Sequence, residues 1–160
     1  MAQDNFNVVG KNLILLSNMI LNNQNLCKLL YYTTKNPLLE PDFETDILMN
    51  KNIRVVPKIP NFETENGSFI LIVLDDFIVD SKNNDFKIAT IRFDIICPIE
   101  NWVINSDTLR PFAIMSEIDK MFNNLRINGI GTLRLTGAER IILSASESGY
   151  SMVFTNYEFN

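Results

Sequence analysis

The chain has 160 residues, of which 46% are hydrophobic and 21% charged, and a formal net charge of −5. That length predicts one domain with a substantial core, and the composition excludes a globally disordered chain. The acidic balance argues against holding nucleic acid by its phosphates or lying on an anionic membrane, since both need a basic surface.

Residues 1–10 are polar, carry no secretory signal and end in Gly10, which predicts a loose lead-in. Residues 11–35 read as the first helix, with Leu13, Leu16, Ile20, Cys27 and Leu30 at helical spacing. Asn22-Asn23-Gln24-Asn25 interrupts the stripe, so a kink or exposed turn is expected there. Asn36-Pro37 marks the end, because the residue before a proline avoids the α region. Residues 37–62 hold four of the six prolines and the acidic run Glu40, Asp42, Glu44 and Asp46. They predict a loop region, with a short edge strand over Ile53–Ile59.

Gly67–Asp80 is the clearest strand, apolar on both sides. A polar turn, Ser81–Asp85, joins it to a second strand, Phe86–Pro98, and the two predict a β-hairpin. Residues 106–126 predict the second helix, striped by Leu109, Phe112, Met115, Ile118, Phe122 and Leu125. Ser106, Asp107 or Thr108 is expected to cap it, and Pro111 fits only its first turn. Gly129 and Gly131 mark a turn, and Thr132–Thr136, Arg140–Ala145 and Tyr150–Phe159 predict three more strands. Strand runs broken by one helix give an α+β fold, a mainly antiparallel sheet packed against two helices, as a single domain over 1–160.

The chain contains no histidine. Ser-His-Asp and Cys-His catalysis are thereby excluded, together with every His-containing zinc site. Cys27 and Cys97 are far apart in sequence and lie on apolar faces, so they read as core residues in a reduced, cytosolic setting. Gly129-Ile130-Gly131 follows a helix and precedes a strand, the reverse of a dinucleotide-binding turn. No cofactor is expected, no stretch is long enough to span a membrane, and the chain reads as a non-enzyme.

A few residues stand out against this background. Asp75-Asp76 interrupts an apolar strand, and Asp94 sits on its neighbour. A carboxylate metal site is one reading; a bulge or charged sheet edge is the favoured one. Trp102 either closes the core or anchors a partner. Arg110 opens a helix, where its charge opposes the helix dipole. It is expected to be solvated, or to pair with the acidic loop at 40–46 or a neighbouring chain. Tyr157 and Phe159 either finish the sheet or pair with another subunit. Trp102, Arg110, Tyr157 and Phe159 are the candidate interface residues.

The second half also carries a family likeness. Ile91-Arg92-Phe93-Asp94-Ile95-Ile96-Cys97-Pro98 leads to Trp102, and Leu109-Arg110-Pro111 opens a helix containing Glu117-Ile118-Asp119-Lys120-Met121-Phe122. Ile127-Asn128-Gly129-Ile130-Gly131 and Gly149-Tyr150-Ser151-Met152-Val153-Phe154 follow. This order resembles the tail-terminator and neck proteins of tailed bacteriophages. The resemblance implies a small α+β subunit of the virion, assembled in the host cytoplasm and closing into a ring, usually a hexamer. Such a ring caps the tail-tube protein and offers a surface to a head-completion or connector protein, while DNA passes through its lumen. The proline-rich stretch at 37–62 has no assigned counterpart in that family. Two rival readings stand beside it: a small monomeric protein-binding adaptor, and a metal-dependent enzyme built on Asp75, Asp76 and Asp94.

Overall fold

A computed structural model describes residues 5–79, 87–128 and 130–158. The chain begins with α1 (Asn5–Leu21) and α2 (Gln24–Tyr31). Short 3-10 turns follow at Pro37–Leu39 and Thr45–Leu48, then a two-residue strand, β1 (Ile53–Arg54). Two long strands, β2 (Phe69–Val79) and β3 (Lys87–Pro98), lead through a 3-10 turn at Ile99–Asn101 into the short β4 (Val103–Ile104) and β5 (Thr108–Leu109). Then come α3 (Arg110–Phe122), β6 (Arg126–Ile127), β7 (Gly131–Ile142) and β8 (Glu147–Glu158).

Six strands form one sheet in the order β1-β2-β3-β8-β7-β6, and β4 and β5 pair separately. Every pairing in the large sheet is antiparallel except β1 with β2. The central contact joins β3 to β8 without a register break, from Lys87 opposite Glu158 to Pro98 opposite Glu147. Its inner face is the one expected from alternation: Ile91, Phe93, Ile95 and Cys97 are buried with Met152 and Phe154. All three helices cover this face. Leu16 and Ile20 of α1, Leu26, Cys27 and Leu30 of α2, and Ile114, Ile118 and Phe122 of α3 complete the same core. The opposite face is covered at one end only, where Phe62 packs on Phe69, Leu71 and Ile96.

Several sequence expectations change. Residues 5–10 are helical, so the expected lead-in over 1–10 is part of α1 wherever it is described. The single helix at 11–35 is two helices, and the described residues form three α-helices in all. The break falls at Asn22-Asn23 for a local reason. Asn23 takes extended backbone, and its Oδ1 accepts from the Leu26 N–H at 3.0 Å, which caps α2. That helix then ends at Tyr31, ahead of the Asn36-Pro37 stop.

The strand expected at Ile53–Ile59 is only Ile53–Arg54, at the sheet edge and parallel to β2. The polar turn at 81–85 lies outside the described residues, as does Gly129. The helix placed at 106–126 begins at Arg110, with Leu109 as its N-cap and no side-chain cap from Ser106, Asp107 or Thr108. Its buried stripe is Ile114, Ile118 and Phe122, whereas Leu109 and Phe112 are exposed. The strands expected at 132–136 and 140–145 are one strand, β7, with a bulge between Leu135 and Gly137. A glycine and a threonine at that bulge obscured the continuity in the sequence.

Candidate functional site

Arg110 is the largest fully buried side chain, 1% exposed. Its Nε donates to the Asn101 carbonyl at 2.8 Å, and Nη1 donates to the Leu29 and Tyr32 carbonyls at 2.6 and 2.8 Å. Nη2 donates to the Thr34 carbonyl at 2.9 Å. The guanidinium therefore closes the carboxyl end of α2, where free carbonyls and the negative end of the helix dipole favour a cation. Burial lowers its pKa, and the neighbouring Cys97 acts in the opposite sense. This corrects the expectation of a solvated or intersubunit Arg110, since among the described residues no carboxylate bonds it and the side chain is buried. The acidic loop finds another cation: Lys28 Nζ lies 2.7 Å from Asp42 Oδ1.

Trp102 is half-buried against the core, and its Nε1 donates to the Cys97 carbonyl at 3.1 Å. Its ring lies 6.3 Å from that of Tyr150, which in turn lies 5.0 Å from the exposed Phe112. Sequence reasoning placed Phe112 in the core and gave Tyr150 no role. The pair becomes visible only once β8 is folded beside the start of α3. The backbone of Tyr157 pairs with both Ile88 and Thr132, well inside the sheet, and Phe159 lies outside the described residues.

Asp75, Asp76 and Asp94 do not converge. Asp75 is the extra residue of a bulge between Leu74 and Asp76, and its Oδ2 lies 3.2 Å from Arg92 Nη2. Asp94 accepts from the Ser151 hydroxyl one strand further in. Among the described residues no three Cys, Asp or Glu side chains are grouped to hold a metal ion. Cys27 and Cys97 are both buried and unpaired, and burial pushes each thiol up to about 12.

A cleft of about 730 Å³ opens near the Arg110 clamp, lined by Tyr31, Tyr32, Phe62, Glu65, Glu100 and Glu147 among others. Glu65 is held by Arg54, whose guanidinium also stands 5.7 Å above the Phe69 ring. Tyr31 stacks on Phe43 at 4.5 Å. The cleft is thus aromatic and acidic.

Among the described residues, both edges of the large sheet leave strand backbone unpaired. β1 shields β2 only at Ile70 and Leu71. β6 shields β7 only at Gly131 and Thr132. Leu125 and Asn123 then bond the backbone N–H groups of Leu133 and Leu135, and among the described residues no strand covers β7 beyond them. The runs left free among the described residues, Ile72–Val79 and Thr136–Ile142, lie at opposite ends of opposite edges. Ile78 is 56% and Ile142 64% exposed.

No curated protein matches the chain. The YomW family model matches residues 23–156, from the Asn23 cap through α3 and both long hairpins into β8. With that match spanning most of the fold, the chain belongs to the YomW family.

Proposed function

We propose that this chain is a structural protein of a phage particle, a ring-forming tail-terminator or neck subunit. In this role it caps the tail tube and joins it to the head, in the virion. Its partners are further copies of itself in a ring, the tail-tube protein, and a head-completion or connector protein. DNA passes through the lumen without specific contacts, and the protein is not an enzyme. The observation that carries this reading is the sheet with a long free run on each of its two edges. Such a subunit offers unlike surfaces on its two sides, and unlike surfaces close into rings when the rotation between neighbours is right. The phage derivation of the family name supports the setting, as does the order of strands and helices set out in the sequence. An acidic subunit also suits a DNA channel, because it offers few partners for phosphates.

The test is solution mass by light scattering over a range of concentrations, with electron microscopy of any discrete species. One chain is 18.4 kDa. A closed ring, alone or on purified tail-tube protein, is expected. A monomer that neither closes nor binds the tube would end this reading in favour of a monomeric adaptor. The aromatic, acidic cleft beside Tyr31 and Glu100 is the feature that favours that second reading.

A further inference from the structure

We propose that copies of this chain join edge to edge, the free run of β2 in one copy adding to the free run of β7 in the next. The proposal deepens the ring reading and rests on it. Three observations lead to it.

The first is strand direction. β2, β3, β8 and β7 alternate antiparallel across the sheet. A second copy in the same orientation, placed beyond β7, presents its β2 antiparallel to β7. The alternation therefore continues across the junction, and main-chain groups left open at both edges are paired.

The second is position. β1 blocks β2 at the Ile70–Leu71 row, and β6 blocks β7 at the far end, at Gly131–Thr132. The free runs are diagonal to each other. A neighbour must then join with a displacement along the strands, and a stagger of that kind accompanies strands tilted around a closed ring.

The third is charge. Asp75 and Asp76 are both exposed on the β2 run, and Arg92 engages only Asp75. The exposed charged residues on the β7 run are Glu139 and Arg140, with Arg134 just outside it, and none of them forms an ion pair among the described residues. β2 against β2 sets carboxylates together, whereas β2 against β7 brings Asp75 and Asp76 to an edge that carries Arg140 and, beside the run, Arg134. Bulges and edge charges usually discourage any pairing; here the charges discourage β2 against β2 and leave β2 against β7.

Cross-linking reads this directly, because both native thiols are buried. Ile78→Cys in β2 and Ala138→Cys in β7 are made as separate chains, both at exposed positions. A bifunctional thiol reagent long enough to reach between adjacent strands is then added. The expected result is cross-linked dimers when the two variants are mixed and almost none with either alone, with yield falling as salt is raised. Efficient cross-linking of Ala138→Cys alone would show two β7 edges meeting about a two-fold axis and would overturn the proposal. A ring-sized species that gives no cross-link in the mixture would also overturn it, while leaving the ring reading in place. A chain that is monomeric with and without tail-tube protein would remove both.

Discussion

At Arg110 one guanidinium bonds four backbone carbonyls, those of Leu29, Tyr32, Thr34 and Asn101. Arg110→Met removes all four donors and leaves buried acceptors behind. The expected cost is about 3–5 kcal/mol in denaturant unfolding. Arg110→Lys recovers only part of it, because an ammonium lacks the planar fork. Cys97 gives a prediction in pH. Burial raises its folded pKa from 9.0 to about 12, whereas the unfolded thiol ionises near 9.0. The unfolded state therefore loses its proton first. The thiol's contribution is fully present below pH 9.0 and is lost progressively between 9.0 and about 12. Cys97→Ala is expected to show a shallower fall in stability across that window, measured by urea unfolding at each pH. Sequence reading placed Cys97 correctly because strand alternation is a local pattern. It misplaced Arg110, because three of the four carbonyls that bind it come from the end of α2 and the residues just after it, many positions upstream.

The elements show where local signals are sufficient. Gly10 lies inside α1, and a Cβ built there meets nothing within 4 Å. Gly10→Ala is expected to stabilise the fold by about 0.5–1 kcal/mol, read as a higher denaturation midpoint. Gly149 is the opposite case. A Cβ there would stand 1.7 Å from the Ile95 carbonyl oxygen across the β3–β8 pair. Gly149→Ala is expected to cost about 3 kcal/mol or more, because backbone must move. Asn23 both caps α2 and donates through Nδ2 to Glu117 Oε2 of α3 at 3.2 Å. Its replacement by alanine is expected to cost about 1 kcal/mol or slightly more in the same assay. The β2–β3 pair, β8 and α3 were legible from periodicity, since each buries a continuous apolar face. The Asn22–Asn25 interruption signalled a break without saying that one asparagine would start a new helix. β7 was legible only as fragments. Its residues from Thr136 to Arg140 are exposed on both faces, so no alternation records the strand.

At the scale of the whole molecule, α+β architecture with a mainly antiparallel sheet followed from the order of elements. The open edges did not, because an edge is defined by which strands fail to pair. The expected interface residues were chosen for their chemistry, as aromatics and a cation. Of these, Arg110 was taken by the interior. Solution mass at low and high salt tests the assembly: larger species are expected at low salt, because Asp76, Arg134 and Arg140 carry exposed charge. The central β3–β8 contact has a consequence in time. β3 spans residues 87–98, and its partner on the far side is the last strand, 147–158. β7 in turn pairs with that same strand. A growing chain on the ribosome can form the β2–β3 hairpin early, but it displays no β7 edge until β8 has emerged and docked. The two joining surfaces therefore mature at different moments of synthesis, and a nascent chain cannot extend an assembly in both directions.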